Sequence, residues 1–249
     1  RPVQIQVVLS DARYLAAAGI NLYLFLHETS IKSQEAEISA YGQNVIRVDG
    51  DYAYAKKMGK QFADQNGYLY TAGNLDPMRL EAKKTMVYEW MRLLPEMPTV
   101  FMQAVSGGSG PLGIAKAVNE LQGYDVFKAM PRFILPQPER CAPMAQAWEK
   151  AKANNFPDGW LHDYPVWENP VTSIPTLSTG NPKAYPTLAP LVKDSKGEIT
   201  SSQETKAVDV ARLVAYQTQS KIGPAAALTV VGFFESLRKQ EIRHGDVVM

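Results

Sequence analysis

The sequence has little of what identifies several classes of protein. Its 249 residues include one cysteine, Cys141, and three histidines, His27, His162 and His244, which lie far apart along the chain. One thiol forms no intramolecular disulfide, and cysteine-based zinc sites need several ligands at short spacing. We therefore expect no disulfide framework and no metal site, and we expect Cys141 to be a buried structural thiol.

Charge excess and long apolar runs are also missing. The chain has 26 Lys and Arg against 25 Asp and Glu, and no basic block. A nucleic-acid backbone binds clustered cations, so this balance argues against a nucleic-acid partner. No apolar run reaches the roughly 20 residues that span a bilayer. We expect a soluble protein of a reducing compartment, the cytoplasm, with no membrane partner.

What the sequence does contain is an alternation of strand-like and helix-like stretches. Residues 20–26 and 44–48 have the apolar character of buried strands, and residues 52–65 have that of a helix ended by Gly67. Strands that alternate with helices over short links predict a parallel sheet covered by helices. The fold class is therefore predicted to be α/β, with parallel or mixed sheets covered by helices on both faces.

The second part of the chain continues this pattern with longer elements. Residues 156–190 carry seven prolines and are predicted as a loop, of the kind that is more often functional than empty. The remaining predictions are helices over 77–94, 114–121, 202–217 and 225–239, a helix after Pro143 that contains Trp148, and strands over 99–105 and 132–135.

The most informative segment is a glycine-rich loop between a predicted strand and a predicted helix. Glycines allow a tight turn that brings backbone N–H groups against an anion, and the helix N-terminus adds roughly half a positive charge. Serine hydroxyls supply further donors. We predict a phosphate site made by the residues of this loop, namely Ser106, Gly107, Gly108, Ser109, Gly110 and Gly113.

Two other interpretations of this loop stay open. It can be a tight turn that binds nothing. Alternatively, Gly108-x-Gly110-x-x-Gly113 matches the dinucleotide-binding fingerprint, with Glu139 as the acid that would bind the ribose of an oxidoreductase cofactor. A P-loop is excluded, because Gly-Lys-Ser/Thr is absent from the loop.

Several motifs, in order along nearly the whole chain, resemble those of one family, the pyridoxal-phosphate (PLP) enzymes of the threonine-synthase type, which share the tryptophan-synthase-β-like fold, called fold type II. The glycine loop falls where this family binds the cofactor phosphate. The other motifs are Gln34-Glu35-Ala36, Val48-x-Gly50-Asp51-Tyr52, Asn74-x-x-Pro77-x-Arg79-x-Glu81-x-x-Lys84-Thr85, Thr179-Gly180-Asn181-Pro182 and Gly223-Pro224-Ala225.

The resemblance implies a function and an organisation. It implies a small mobile α/β domain over 1–73, a large cofactor-binding domain over 74–249, PLP as cofactor and a homodimer. The reaction would be elimination or replacement of a leaving group, phosphate being favoured, at the β or γ carbon of an activated amino acid, in amino-acid biosynthesis. Replacement by a sulfur nucleophile, as in cysteate or cysteine synthases, is the alternative. Substrate contacts are expected from Asn74, Thr179, Gly180 and Asn181.

The sequence also departs from the family pattern. Ala82 replaces a glycine, Ile222-Gly223 stands where the family has a glutamate, and no Schiff-base lysine is identifiable. We expect the lysines examined for that role, Lys32, Lys84 and Lys116, to be solvated surface residues. A partial chain, short at both ends, would explain the missing lysine. A catalytically inactive relative that has lost the lysine is the alternative.

Overall fold

The computed structural model describes residues 2–4, 9–28, 32–50, 52–71, 77–168 and 170–249. The chain forms two compact units, residues 1–76 and residues 77–249. Among the described residues, none of the helices combines the length and the apolar character needed to cross a membrane.

The first unit is a parallel four-stranded sheet in the order β3-β2-β1-β4. Alternate side chains of β2 point to opposite faces of this sheet, as strand geometry requires. Leu24 and Leu26 pack with Ile38 on one face, and Phe25 packs with Ala63 on the other. The elements are β1 (Pro2–Gln4), α1 (Leu9–Ala17), β2 (Tyr23–His27), α2 (Lys32–Ala40), β3 (Asn44–Val48), α3 (Tyr52–Asn66) and β4 (Leu69–Thr71).

The second unit contains a parallel three-stranded sheet in the order β5-β6-β7. Its strands are β5 (Val100–Met102), β6 (Arg132–Pro138) and β7 (Glu198–Ser202). Its helices are α4 (Pro77–Lys83), α5 (Thr85–Leu93), α6 (Ser109–Gln122), α7 (Pro143–Ala153), α8 (Tyr185–Asp194), α9 (Ala207–Thr218) and α10 (Pro224–Arg238), with short 3-10 helices at Trp160–His162, Pro175–Leu177 and Glu204–Lys206.

Both faces of this second sheet are buried. Phe101 and Phe133 pack on one face with Trp148 of α7, and Met102 and Ile134 belong to a separate cluster on the other face. The three carboxyl ends of the strands lie at one edge, where ligands bind in open parallel sheets. The α/β class with helices on both faces is therefore confirmed.

Four elements differ from the sequence prediction. The helix expected over 77–94 is divided at Lys84, where the backbone bonds span three residues instead of four: the N–H of Lys84 donates to the carbonyl of Glu81 at 3.1 Å and the N–H of Val87 to that of Lys84 at 2.9 Å. Helix α6 begins at Ser109, inside the predicted glycine loop. Two elements were not predicted, namely α8, in the stretch predicted as loop, and β7, which ends at Ser202, where the helix over 202–217 was expected to begin.

Candidate functional site

The glycine-rich segment lies at the carboxyl edge of the second sheet. Strand β5 leads into a turn at residues 106–108, and α6 follows directly. Gly108 has a φ of 83°, in the left-handed region that favours glycine. A Cβ at this position would lie 2.8 Å from Cδ2 of Leu188. The turn therefore needs glycine both for its backbone conformation and for its close packing.

The N-terminus of α6 has backbone donors that no side chain caps. Gly108 precedes the helix and contributes no side-chain hydrogen bond, and the first helical bond is the one that Leu112 donates to the Gly108 carbonyl at 3.2 Å. The N–H groups of Ser109 and Gly110 precede that bond, and Pro111 has no N–H. This arrangement suits an anion, because these N–H groups, which make no bond within the helix, and the helix dipole act together.

A second segment, residues 170–180, reaches the same turn, and we call it the strap. At its end, the hydroxyl of Thr179 is hydrogen-bonded to the hydroxyl of Ser106. The next residue, Gly180, accepts a hydrogen bond from the N–H of Trp167 at 2.9 Å. The strap therefore places a second hydroxyl beside the first at the start of α6.

The other residues that the sequence predicted as site residues do not all lie at the turn. Gly110 and Gly113 lie within α6, where a Cβ would meet Oε1 of Gln103 at 2.1 Å or Cβ of Lys83 at 2.5 Å, so they serve helix packing. Asn181 is exposed in the turn before α8. Asn74 lies outside the described residues.

Cys141 lies shortly after β6, and its thiol is hydrogen-bonded to the backbone of Thr179, a residue of the strap. It has no exposed surface, and burial raises the pKa of its thiol, while the hydrogen bond with the Thr179 backbone acts in the opposite direction. The thiol is thus buried and mainly protonated at neutral pH, as expected for a structural cysteine. Among the described residues, no group of His, Cys, Asp and Glu is placed to hold a metal ion.

Three polar side chains near α6, those of Arg79, Lys83 and Gln103, were not predicted from the sequence as site residues. Nη1 of Arg79 and Oε1 of Gln103 are buried and have no hydrogen-bond partner among the described residues. Lys83, one turn after Arg79 on α4, is half-buried, and burial followed by the Arg79 charge lowers its pKa. Only Arg79 stood within a recognised motif, whereas Gln103 and Lys83 follow no local pattern.

The lysines considered for the Schiff base have ordinary structural surroundings. Lys84 is not a solvated residue as expected, because only 14% of its side chain is exposed and its Nζ lies 2.6 Å from carboxylates of both Glu81 and Glu120. Lys116 pairs with the same two glutamates at 3.0 and 3.3 Å. Lys32 is exposed. None of the three therefore has the surroundings of a cofactor lysine.

The donor set at the loop fits the phosphate group of a cofactor. Two hydroxyls, those of Ser106 and Thr179, meet beside the uncapped end of α6, and Gly107 and Gly108 leave the backbone without side chains there. In a dinucleotide fingerprint the second glycine leaves room for the pyrophosphate to approach the backbone. Here that glycine is Gly110, and Oε1 of Gln103 lies 2.1 Å from where its Cβ would be, so that interpretation is not adopted.

The fold and this loop together define an α/β protein with a candidate anion site at the carboxyl edge of a parallel sheet. Residues 8–249 match the model of the family described as pyridoxal-phosphate dependent enzyme. The chain belongs to this family, and the family and the cofactor expected from the sequence are confirmed.

Similarity to known proteins is extensive but remote. The chain is 24% identical over 232 residues to threonine synthase of Methanocaldococcus jannaschii, covering 92% of this chain and 55% of that protein. It is 26% identical over 200 residues to cysteate synthase of Methanococcoides burtonii, covering 80% and 46%. The chain thus spans about half the length of these relatives. The structure of maize serine racemase shares the fold, with a TM-score of 0.78 and 16% identity, covering 99% of this chain and 70% of that one.

Proposed function

We propose that this chain is part of a PLP-dependent lyase or transferase that eliminates or replaces a leaving group at the β or γ carbon of an amino acid. The observation that carries the proposal is the pair of hydroxyls, Ser106 and Thr179, at the uncapped N-terminus of α6. Similarity to threonine synthases and cysteate synthases supports the reaction class.

In this proposal the chain's own residues bind and orient the cofactor. Ser106, Thr179 and the first N–H groups of α6 hold the phosphate, and the dipole of α6 stabilises its charge. PLP, when bound, supplies an electron sink for the substrate carbanion. The close packing of Gly108 against Leu188 keeps the turn rigid, so the phosphate is held at a fixed distance from the sheet.

The leaving group is proposed to be an anion, with phosphate favoured. Arg79 and Lys83 lie one turn apart on α4, and no carboxylate among the described residues forms an ion pair with either. Both side chains are partly buried, which makes an unpaired charge costly, and an anionic substrate group would neutralise them. The same cations would suit a phosphorylated serine in a sulfur-replacement reaction, which the similarity to cysteate synthase supports.

The test is phosphate release from two substrates by the purified full-length protein supplied with PLP. O-phosphohomoserine alone tests elimination with water addition, and O-phosphoserine with sulfite tests replacement at the β carbon. We expect one of the two to release phosphate, and release from neither would refute the proposal. Size-exclusion chromatography with light scattering tests the proposed homodimer.

Removing one hydroxyl tests the site itself. We expect Ser106→Ala to weaken PLP binding about tenfold, because a hydrogen bond to a charged group contributes roughly 1.5–3 kcal/mol and neighbouring donors compensate in part. The matched control is Ser220→Ala, in the exposed link between α9 and α10. Equal affinities of the two variants, measured by calorimetric titration, would contradict the assigned phosphate site.

A further inference from the structure

The strap is held by a buried carboxylate that follows β7. Glu204 begins the short helix after this strand, and its side chain is 1% exposed. Carboxylates are almost never buried to this extent without hydrogen bonds or charges to compensate them. The hydrogen-bond partners of Glu204 therefore indicate which segment it stabilises.

Both oxygens of Glu204 are used on the strap. One accepts the N–H of Ser173 at 3.1 Å, and the other accepts the hydroxyl of Thr172. The Thr172 oxygen in turn accepts the N–H of Ile174 at 3.1 Å. Among the described residues, the ion pair that Glu204 makes is with Arg140, whose Nη1 lies 3.8 Å from Oε1 and whose side chain is 58% exposed. The carboxylate thus fixes three consecutive strap residues and has only a weak ion pair.

The rest of the strap connects this anchor to the cofactor loop. Pro175–Leu177 form a helical turn, and the hydroxyl of Ser178 donates to the Pro170 carbonyl at 3.2 Å, closing the segment on itself. Thr179 follows at once and meets Ser106. Because the segment is short and closed, its position at residues 172–174 determines where the Thr179 hydroxyl lies.

We propose that Glu204 is a positioning residue for the cofactor phosphate. It holds the strap in the conformation that brings the Thr179 hydroxyl to Ser106, although it contacts neither the loop nor the phosphate itself. This inference rests on the proposed function of the loop as the phosphate site. The proposed phosphate site follows β5, at one side of the sheet, whereas Glu204 follows β7, at the other side.

The variant that tests it is Glu204→Gln. The amide is neutral: its oxygen can still accept the N–H of Ser173, and its NH2 group can donate to the hydroxyl of Thr172, so two hydrogen bonds to a charged acceptor become weaker hydrogen bonds of a neutral group. We expect about tenfold weaker binding of pyridoxine 5′-phosphate, a probe that has the phosphate but no aldehyde. Backbone amides of Ser173, Ile174 and Thr179 should exchange hydrogen faster in the ligand-free protein.

Glu198→Gln is the matched control. Glu198 lies at the start of β7, is also mostly buried, and accepts hydrogen bonds from Trp148 at 2.8 Å and from Lys152, both away from the strap. We expect this variant to keep wild-type probe affinity and strap protection. Equal loss of affinity in both glutamate variants would mean a general effect on stability and would overturn the proposal.

Thr172 provides a second pair of variants, which also covers the case in which Glu204→Gln does not fold. Thr172→Val removes the bridging hydroxyl and should weaken probe binding in the same way, whereas Thr172→Ser keeps the hydroxyl and should restore it. Wild-type affinity and wild-type exchange in Thr172→Val would overturn the proposal. Failure of the wild-type protein to bind the probe would instead refute the phosphate site, and the exchange rates would still decide whether Glu204 anchors the strap.

Discussion

Gly180 has a packing constraint that only glycine satisfies. A Cβ at this position would lie 1.9 Å from the carbonyl oxygen of Trp167, the residue whose N–H bonds to the Gly180 carbonyl. That contact lies on the backbone, so no side-chain rotation relieves it. Gly180 is thus required by the path of the strap, whatever its relation to substrate.

We expect Gly180→Ala to lower the free energy of unfolding by about 1–3 kcal/mol, as overpacking does, and to weaken PLP binding by displacing Thr179. Gly123→Ala is the control, because Gly123 has a φ of −66° and open space around its Cα. That change should be neutral or stabilise by up to about 1 kcal/mol. Urea unfolding measures both, and equal stabilities would contradict the packing argument.

Residues of the proposed site could be predicted only where neighbouring residues in the sequence define them. Ser106, Gly107 and Gly108 lie in one short segment, and its order of strand, glycine turn and helix can be predicted from the sequence. The contact between Ser106 and Thr179 spans 73 residues, and Glu204 reaches the strap across 31 and 32 residues. These contacts arise because β5, β6 and β7 pack side by side in one sheet, and no periodicity in the sequence predicts which distant residues then meet.

At the scale of elements, two omissions have clear causes. Strand β7 has one apolar residue, Ile199, and its buried pairing with Leu135 of β6 compensates for its polar sequence. Helix α8 contains Pro186 in its first turn, where no N–H is needed, and Pro190 further in. Burial of Tyr185, Leu188 and other residues of α8 in the main core outweighs the cost of Pro190.

Helices α4 and α6 are joined by four charges, and this link should depend on pH. Hydrogen bonds to Lys84 and Lys116 lower the pKa of Glu81 and Glu120, with Lys84 the largest cause for each. Stabilisation by a carboxylate with a lowered pKa is complete above its unfolded pKa and is lost as pH falls through the folded value.

We expect Lys84→Met to lower the free energy of unfolding at neutral pH and the difference from wild type to narrow below about pH 4. High salt should narrow it too, because the pairs are near the surface. Arg92→Met is the control, since Arg92 pairs at 2.7 Å with Glu89 of the same helix and forms no ion pair with a second element in the part of the chain that the structure describes. A difference that stays constant from neutral to acidic pH would exclude the charge network as its cause.

At the scale of the whole molecule, each unit has its own hydrophobic core. The clusters around Phe25 and around Leu24 belong to residues 1–76, and the largest cluster, around Phe133, belongs to residues 77–249. All residues of the proposed phosphate site that the structure describes lie in the second unit. Separate cores mean that unfolding need not be a single two-state transition.

The tryptophans make this testable. All four, Trp90, Trp148, Trp160 and Trp167, lie in the second unit. Because a ligand stabilises what it binds, pyridoxine 5′-phosphate should raise the urea midpoint followed by tryptophan fluorescence. The far-ultraviolet circular dichroism curve, which includes the first unit, should shift less. Identical shifts by both probes would show that the two units unfold together.

The buried thiol gives the site a reporter that needs no engineering. Cys141 is the single cysteine of the sequence, has no exposed surface and contacts the backbone of Thr179 at the end of the strap. A thiol reagent reaches it only through an opening of the surrounding structure, so the rate of labelling counts such openings. The ratio of the labelling rates without and with pyridoxine 5′-phosphate then measures how much the bound ligand reduces the frequency of these openings around Cys141.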